Sequence, residues 1–561
     1  MQSIIDAFEP QLSNAVQVLV TSSKTTPFFS YRTVSLRLLV AASLVALFVS
    51  IPILYIFIRA LGGGADVWAR LLQTRLLGLL ANTLVLALAV TTGTSILGVG
   101  LAWLTERTDM PGRKIFRWLL ALPLAIPAYI GAIVHLALLR PRGGYVPQFL
   151  EWLLGHPVYT PSPLGLLGAS FILTLFLYPY VYLLSGAAFR SLHAALDEAS
   201  HVFGRNNWQT LWGVTLPALR PGLTAGALLV TLDILAEYGT VALLRYETFS
   251  SAIFVQLAGR YDRSAASVLS GVLVLIAVIA LWGELRVEGK ARHTQLDSSW
   301  RLAPPIRLGA WRAPALALVS AVCFASLIVP VTVLAVWSIQ AFSDPALLTS
   351  ILRSGSRTLF DFSRNSLWSA GLAAFLAVVL SLPVALFARR HPGRLSRVIS
   401  RLCQTGYALP GVVVALSLVL VVNRGLPFLY GTPFVVVIAY VLRHMPQAVR
   451  ASEAALSQIS GSMEEAARSL GRTSFETFFQ VTLPLILPGL LAGGALVFLT
   501  SLKELPATLL LRPAGFDTLA VRVWIWAEQG FYIQAAPAAF LLIIISVIPL
   551  SFLLKREQIF R

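Results

Sequence analysis

The sequence predicts an all-α membrane protein with about twelve transmembrane helices, arranged as two parallel repeats of six. Its 561 residues are 57% hydrophobic and only 12% charged, with a mean hydropathy of +0.78. That balance is too apolar for a soluble protein of this length. The apolar residues also come in runs of about 20, the length that crosses a hydrocarbon layer of about 30 Å. A third observation, a long internal repeat, divides the chain into two halves.

Twelve apolar runs are the candidate spans, and polar or charged residues separate them. In the first half they lie near 38–60, 79–104, 116–139, 164–186, 223–244 and 266–285, and in the second half near 314–339, 365–388, 399–422, 431–448, 490–511 and 534–554. The run 431–448 is the shortest of those that must cross the membrane for the two halves to match.

The net charge of +18 could indicate a nucleic-acid partner, but its placement favours lipid. Lys and Arg cluster in the short loops 106–117 and 389–401 and in the linker 286–312. Twelve alternating spans put all three on one side, and the positive-inside rule makes that side the cytoplasm. Both termini are therefore expected in the cytoplasm, and the expected charged partner is the bilayer, with no nucleic acid.

The N-terminal leader 1–37 lacks the basic and apolar regions of a secretory signal. It is expected to be either an amphipathic helix on the inner membrane face or a disordered leader. The two cysteines, Cys323 and Cys403, fall in or beside predicted spans and have no metal-ligand spacing. We interpret them as small apolar filler without a disulfide.

The internal repeat is clearest where EEAARSLGRTSFETFFQVTLP at 464–484 matches DEASHVFGRNNWQTLWGVTLP at 197–217, 267 residues earlier. The same offset pairs Glu237 with Glu504. Weaker echoes pair NTL with NSL, PGR with PGR, IP with LP, and YETF with FDTL three residues out of register; they lie at 82–84 and 365–367, 111–113 and 392–394, 126–127 and 409–410, and 246–249 and 516–519.

These echoes divide the chain into a six-span unit at 38–285, the cytoplasmic linker 286–312 and a second unit at 313–561. An even number of spans in each unit makes the two copies parallel, so both repeated segments face the same compartment.

Each repeated segment predicts two short helices on the membrane surface. The first, near 194–203 or 461–470, ends at Gly204 or Gly471, which suits a left-handed C-cap. The second begins at a capping-box pattern, NNWQ or TSFE, and is expected to end at T-L-P because proline cannot continue the preceding turn. A plain amphipathic surface helix is the alternative interpretation, but two copies in matched register favour a docking element.

The pattern E-A-A/S, then glycine, then T-L-P resembles the EAA motif in the permease subunits of binding-protein-dependent ABC importers. The resemblance covers nearly the whole chain, as two fused units, and implies a type I importer permease fold. In that family the motif docks a cytoplasmic ATPase, so the loops 190–222 and 452–489 would couple to two ATPase copies. The residues implied in coupling are Asp197, Glu198, Ala199, Gly204, Pro217, Glu464, Glu465, Ala466, Gly471 and Pro484.

No phosphate-binding loop G-x-x-x-x-G-K-[ST] occurs in the chain. ATP and Mg²⁺ are therefore expected to be used by a separate ATPase, and this chain is expected to bind no cofactor and to be no enzyme. It shows no HExxH, no nucleophile elbow and no Cys/His cluster. His135, within a predicted span, is interpreted as a satisfied interior residue and not as a ligand.

Glu237 and Glu504 are the candidate residues of a translocation path, with Asp233, Tyr238 and Lys503 beside them. Each lies 14 residues beyond the start of its span at Leu223 or Leu490, about 20 Å up a continuous helix. Ionisable residues at that depth usually face a partner or an aqueous path. The alternative is a buried ion pair, for example of Lys503 with one acid. Paired carboxylates suit transient binding of a hard metal cation, which makes Glu237 and Glu504 the candidate metal ligands.

The segments 236–254 and 502–524 resemble the ferric-iron branch of these permeases. That implies import of Fe³⁺ across a bacterial inner membrane, with a periplasmic ferric-binding protein meeting 245–263 and 512–532. Aromatic residues there could instead form lipid-interface belts. Thiamine, phosphonate, polyamine or another small solute is the alternative cargo. A secondary transporter is a further alternative, although it would need no ATPase-docking segments, and the absence of an acid/base cluster argues against a membrane enzyme.

Overall fold

The computed structural model describes residues 36–141, 143–192, 200, 202–288, 305–352 and 358–559. The leader before residue 36 and most of the linker lie outside these ranges. The helices of the first half are α1 (Leu36–Leu61), α2 (Ala65–Leu71), α3 (Leu77–Arg107), α4 (Arg113–Leu119), α5 (Ala128–Leu139), α6 (Tyr145–Leu154), α7 (Leu166–Ser191), α8 (Asn207–Thr210), α9 (Leu216–Ala236), α10 (Gly239–Leu243), α11 (Phe249–Phe254) and α12 (Arg263–Glu288).

The second half repeats this order. Its helices are α13 (Arg312–Cys323), α14 (Val329–Ser343), α15 (Pro345–Leu352), α16 (Leu359–Arg390), α17 (Arg394–Gln404), α18 (Gly411–Gly425), α19 (Pro433–Ser457), α20 (Gly461–Ser469), α21 (Ser474–Thr477), α22 (Leu483–Leu502), α23 (Pro506–Leu511), α24 (Leu519–Glu528) and α25 (Tyr532–Ile559).

Among the described residues, nine helices are long and apolar enough to cross a membrane, or up to eleven if two bent pairs each count as one span. The predicted all-α membrane fold is confirmed, but the runs 116–139 and 399–422 are not straight spans. They bend by 95° and 107° between α4 and α5 and between α17 and α18. The bends fall at the echoed I-P and L-P pairs, where the residue before a proline is forced out of the helical region.

Helix α19, which corresponds to the run 431–448, is not among the nine. Its 25 residues include Arg443, His444 and Gln447, which lower its hydropathy. These polar residues line an internal cavity, so α19 is sheltered from lipid on that side by the rest of the protein.

Corresponding helices pack together in the two halves. The most extensive contacts join α3 to α7 and α16 to α19, and α9 and α22 pack against the same partners. Gly222 and Gly226 in α9, like Gly489 and Gly493 in α22, lie where a Cβ atom would come within 3.0 Å of the neighbouring helix. Small residues four apart allow such close approach in membranes.

The first helix of each half crosses to the other half. Helix α1 packs on α16 and α18, while α14 packs on α5. The two buried clusters are accordingly mixed, because each draws side chains from both units. The halves are interlocked and do not form separate bundles.

The prediction that the second motif helix ends at T-L-P is wrong. Helix runs without a break from Asn207 to Ala236 and from Ser474 to Leu502. A turn of π-helix precedes each proline, so that Leu216 N bonds to Leu211 O and Leu483 N to Phe478 O. The wider turn shifts the hydrogen-bond register before the proline, which needs no N–H partner of its own.

The weak sequence echoes near the span starts correspond to one structural device built twice. Asn82 donates its side-chain amide to Glu247 O, and Asn365 donates to Asp517 O, both at 3.0 Å. The next residue in each case, Thr83 or Ser366, accepts from the backbone N–H of Phe249 at 3.1 Å or Leu519 at 2.8 Å. We call these paired contacts the latches. They explain why NTL/NSL and YETF/FDTL recur together.

The two latches provide an internal comparison. Asn365 is 9% exposed, whereas Asn82 is only partly buried, so removing the Asn365 amide leaves a backbone carbonyl without a partner away from water. We expect Asn365→Ala to cost about 1–2 kcal/mol and Asn82→Ala less. Thermal unfolding of the two variants in detergent, followed by tryptophan fluorescence, measures the difference. Equal decreases in unfolding temperature in both variants would contradict the idea that burial makes the Asn365 contact more important.

Candidate functional site

The two repeated glutamates lie at breaks in their membrane helices. Helix α9 ends at Ala236 and Glu237 follows it with extended backbone, while Glu504 comes two residues after the end of α22. The expectation that both acids sit within continuous helices is therefore wrong. Each carboxylate instead accepts a backbone N–H of the short helix that follows, from Thr240 at 2.7 Å and from Ala507 at 3.3 Å. The acids serve as caps for broken helices.

A cavity of about 210 Å³, here called the central cavity, lies between the halves at this level. Every candidate path residue lines it. They are Asp233, Glu237, Tyr238, Lys503 and Glu504. The structure thus brings together all five residues that the sequence selected, together with Arg443, His444, Gln447 and Thr500 from α19 and α22.

Arg443 is the important residue that sequence reasoning missed. Its guanidinium forms an ion pair with Glu504, whose side chain is 4% exposed. A Cβ on Gly411 would lie 2.3 Å from Glu504 Oε1 and 2.7 Å from the guanidinium, so the pair fills the space that this glycine leaves. The available signal was an arginine inside the run 431–448, since a charge in a predicted span needs a partner.

The described residues of the first half include no equivalent pair. The 267-residue offset also relates α7 to α19, with Pro179 matching Pro446, and it places Phe176 where Arg443 stands. Within the described part of the chain, Glu237 has no ion pair. The two capping glutamates therefore share a backbone role but differ in charge compensation.

Lys503 and Asp233 complete the charged lining of the cavity. Lys503 Nζ donates to Leu124 O at 2.8 Å, which connects the second half to the bend of the first. The buried ion pair considered as an alternative does exist, but Arg443 and not Lys503 provides its cation. Asp233 is half-buried, interacts electrostatically with Arg443 and Lys503, and has no hydrogen bond or ion pair among the described residues.

Tyr238 contributes an aromatic wall instead of a polar group. Its ring stacks on Phe254 at 4.2 Å between centroids and lies 5.2 Å from Trp524. Among the described residues there is no group of three or more His, Cys, Asp and Glu side chains that could hold a metal ion. Carboxylates for a transient cation are nevertheless present, as Asp233 and Glu237.

The two repeated segments show the local geometry that their sequences predict. Gly204 and Gly471 have φ of +75° and +82°, which end the first helix in the left-handed region. The capping boxes form reciprocally, Gln209 N with Asn206 Oδ1 at 2.8 Å in one copy and Glu476 N with Thr473 Oγ1 at 3.2 Å in the other. Hydrogen bonds from the Thr473 backbone and hydroxyl lower the pKa of Glu476.

Large apolar side chains stand exposed at matched positions of the two segments. Phe203 and its counterpart Leu470 are 84% and 83% exposed, and Trp212 and its counterpart Phe479 are 60% and 48% exposed. Phe203 and Leu470 directly precede the glycine of the turn, whereas Trp212 and Phe479 lie in the π-helical turn near the start of the helix that continues into the membrane. Exposed apolar groups repeated in register are typical of a docking surface.

The acidic and alanine positions of the second motif face different ways. Glu464 points inward, where it pairs with Arg389 at 3.3 Å and Arg390 at 3.8 Å and accepts from Thr482 at 3.3 Å. It fastens the segment to the membrane helices, whereas Glu465 and Ala466 are exposed. The first-copy residues Asp197, Glu198 and Ala199 lie outside the described residues. Pro217 and Pro484 follow the π-helical turns within their long helices.

The small residue after the alanine differs between copies and has a local consequence. Ser200 and Thr210 hydrogen-bond at 2.8 Å, tying the first motif helix to the second. The counterpart of Ser200 is Ala467, and the buried Thr477 hydroxyl has no hydrogen-bond partner among the described residues. The first segment is thus held by one more polar contact than the second at this point.

The residues interpreted as structural behave accordingly. His135 is 5% exposed and its Nδ1 lies 2.8 Å from Gly131 O, which makes it an interior residue satisfied by its own helix. Cys323 and Cys403 are buried free thiols. Neither finding adds a candidate site.

Comparison with known proteins identifies the family to which this chain belongs. A family described as the binding-protein-dependent transport system inner membrane component matches twice, at residues 94–283 and 377–556. The Fe(3+)-transport system permease protein FbpB 2 of Haemophilus influenzae is 35% identical over 520 residues, covering 91% of this chain and 96% of that protein. The ferric transport system permease protein FbpB of Actinobacillus pleuropneumoniae is 25% identical over 532 residues, covering 91% and 76%.

Similarity also extends to single-unit relatives. The sulfate transport system permease protein CysW of Escherichia coli strain K12 is 27% identical over 261 residues, which cover 44% of this chain and 86% of that protein. A relative of half the length is expected if the chain is a fusion of two units. The chain belongs to the family of inner-membrane components of binding-protein-dependent transport systems, and it carries the family's unit twice.

Proposed function

We propose that the chain is the membrane-spanning permease of an ATP-driven importer that moves ferric iron into the cytoplasm. The observation that carries the proposal is the doubled motif, set in matched geometry at the foot of two helices that end at the central cavity. The ferric cargo is supported by similarity over nearly the whole chain to permeases named for Fe³⁺ transport. In this proposal the chain hydrolyses no ATP and holds no resident cofactor.

Two copies of a cytoplasmic ATPase would dock on the repeated segments. Each segment offers two exposed apolar side chains, one before the glycine turn and one in the π-helical turn, Phe203 with Trp212 and Leu470 with Phe479. A two-fold symmetric ATPase dimer needs two equivalent contacts, which the parallel repeats supply. The Asp197, Glu198 and Ala199 positions, with Glu465, Ala466 and Gly471, would complete these surfaces, and ATP and Mg²⁺ would bind in the partner.

The motif helix and the cavity are joined by one continuous element. The stretch from Asn207 to Ala236 spans about 45 Å at 1.5 Å per residue, with its counterpart from Ser474 to Leu502 nearly as long. Movement of a docked ATPase would therefore reach Glu237 and Glu504 without an intervening loop. The ion pair of Glu464 with Arg389 would make the surface helix move together with the membrane helices.

Ferric iron would cross through the central cavity. Asp233, in the last turn of α9, and Glu237, directly after its end, lack ion pairs within the described residues, whereas Glu504 is neutralised by Arg443. Hard trivalent iron favours carboxylate oxygens. We therefore place the transient cation at Asp233 and Glu237, with Tyr238 beside the path and Lys503 and Glu504 holding its wall.

An oxyanion is the second candidate cargo. Arg443 and Lys503 line the cavity, and the sulfate permease relatives match half of the chain at 27–29% identity. In either case the protein would sit in a bacterial inner membrane with both termini in the cytoplasm. A periplasmic binding protein would deliver the cargo to the opposite face.

The exposed apolar residues of the two repeated segments can be tested by introducing a charge. Phe203→Asp and Leu470→Asp each place a charge in an apolar contact, so each should weaken retention of the ATPase by roughly tenfold, and the double variant should lose it. Co-purification from membranes at rising salt measures the effect. Leu426→Asp, at an exposed site on the opposite face, is the matched control and should retain the ATPase. Wild-type retention by the double variant would count against docking at these segments.

The cargo and its carboxylates can be tested together. Right-side-out vesicles should take up radioactive iron, and not sulfate, thiamine or phosphonate, when ATP is supplied inside. Asp233→Asn and Glu237→Gln should each lower iron uptake about tenfold or more while leaving the ATPase bound, because each removes an anionic ligand from the path. Undiminished iron uptake by both variants would show that the acids have a purely structural role. Sulfate uptake by the wild-type protein would show that the cargo is an oxyanion and not iron.

Glu504 should behave differently from Glu237. Glu504→Gln leaves Arg443 buried without its anion, which costs about 3–5 kcal/mol. We expect less protein in the membrane and a lower unfolding temperature, and we expect recovery in Arg443→Met/Glu504→Gln, where both charges are removed. Expression and thermal unfolding of the three variants provide the measurement. If Glu504→Gln were as stable as wild type, the ion pair would not support the helix break.

A further inference from the structure

A second and larger cavity opens on the face opposite the repeated segments. This outer cavity has a volume of about 640 Å³ and is lined by residues of both halves. Its charged lining among the described residues consists of Arg140, Arg245 and Glu528. Its volume is typical of a site for a small molecule and far exceeds the space that a bare metal ion needs.

Aromatic rings separate the outer cavity from the central one. Trp524, which lines the outer cavity, lies 5.2 Å from Tyr238 and 6.5 Å from Tyr129, which both line the central cavity. All three side chains are at most 5% exposed. The rings come from different halves, so the partition follows the seam along which the halves meet. The outer cavity is therefore the compartment that a solute meets before this partition.

Arg245 carries three independent signs of a ligand-binding role. Its φ of +54° lies in the left-handed region, which a non-glycine residue adopts at a cost in free energy. Its counterpart at the 267-residue offset, Arg512, has a φ of −61° and is paired with Asp517. Arg245 has no hydrogen bond or ion pair from its guanidinium to any described residue. The strained backbone thus occurs in the copy whose arginine is exposed and has no ion pair among the described residues.

Arg140 brings a second guanidinium to the same cavity. It follows the last residue of α5 and also has no side-chain partner among the described residues. Trp337 and Tyr532, stacked at 6.3 Å, line the cavity as well, with Tyr145 accepting a hydrogen bond from Trp337. With Glu528 as the single acid, the described lining has an excess of positive charge.

We infer that the outer cavity binds an oxyanion through Arg140 and Arg245, and that this oxyanion is a ligand of the iron. Guanidinium groups bind carboxylates and phosphates in a bidentate manner, whereas two guanidiniums would repel a bare trivalent cation. This inference rests on the proposed ferric cargo. Iron then enters the outer cavity as a complex with a carboxylate or phosphate ligand. Asp233 and Glu237 replace that ligand on the iron beyond the partition, and the released oxyanion stays on Arg140 and Arg245 until it leaves through the opening of the outer cavity.

The experiment measures binding of radioactive citrate and phosphate, each alone and with Fe³⁺, to the permease purified with its ATPase in nanodiscs of zwitterionic lipid. Saturable binding to wild type is expected, weakened roughly tenfold or more in Arg140→Gln/Arg245→Gln. Arg245→Lys keeps the charge without the bidentate geometry and should give an intermediate affinity. Arg260→Gln, at an exposed arginine that does not line the cavity, is the matched control and should bind as wild type does.

The outcomes separate this inference from the proposed function. Unchanged binding and iron uptake in the double arginine variant would overturn the inference while leaving iron import intact. Failure of wild type to import iron would overturn the proposed function, and arginine-dependent binding of phosphate would then still establish the anion site. A third arm adds anionic lipid to the nanodiscs. If that lipid displaces both oxyanions at equal affinity, the occupant is a headgroup and the assignment to the cargo fails.

Discussion

The structure depends on how two broken helices are capped inside the membrane. A chain that ends one helix and begins another within hydrocarbon leaves C=O groups of the first helix and N–H groups of the second without water to satisfy them. Glu237 and Glu504 answer this need by accepting the N–H groups of Thr240 and Ala507 at the start of the next short helix. The breaks open the central cavity, and the caps place an acid on each side of it. The same helix breaks therefore account both for the buried acids and for the cavity between them.

The same helices carry that constraint to the surface. Because helix continues through the prolines of T-L-P by way of a π-helical turn, each capped break lies at the far end of the element that begins at the motif. The latches fix the opposite side, since Asn82 and Asn365 hold the segments that follow the short helices. In each half the long helix thus joins the motif to a capped break, and the latch holds the segment beyond that break.

The sequence predicted the features that depend on local chemistry. Glycine turns, capping boxes and the repeat register follow from residue types at fixed spacing. Four of the five cavity residues followed from charge in apolar runs, and Tyr238 was selected because it adjoins Glu237. The prediction that the second motif helix ends at T-L-P failed because it assumed an α-helix, in which proline breaks the hydrogen-bond pattern. A π-helical turn avoids this break, but it becomes favourable only when the helix is packed in the folded protein. Arg443 was missed because its importance comes from its ion pair with Glu504, which lies 61 residues away in the sequence. The contact between the two echoes of each latch was missed for the same reason, since those residues are close only in the folded structure.

A duplicated chain makes its departures from symmetry informative. Two identical halves would satisfy the needs of folding and of docking a symmetric ATPase, so those needs do not explain where the copies diverge. They diverge at the cavity, where Asp233 corresponds to Thr500 and Arg443 to Phe176, and at the outer face, where Arg245 has no ion pair among the described residues and Arg512 pairs with Asp517. The same contrast holds for the capping acids, since Glu237 of the first half has no ion pair within the described ranges whereas its counterpart Glu504 pairs with Arg443. In the proposed function, the ion pair of the second half would hold the wall of the path, and the carboxylates of the first half would meet the cargo.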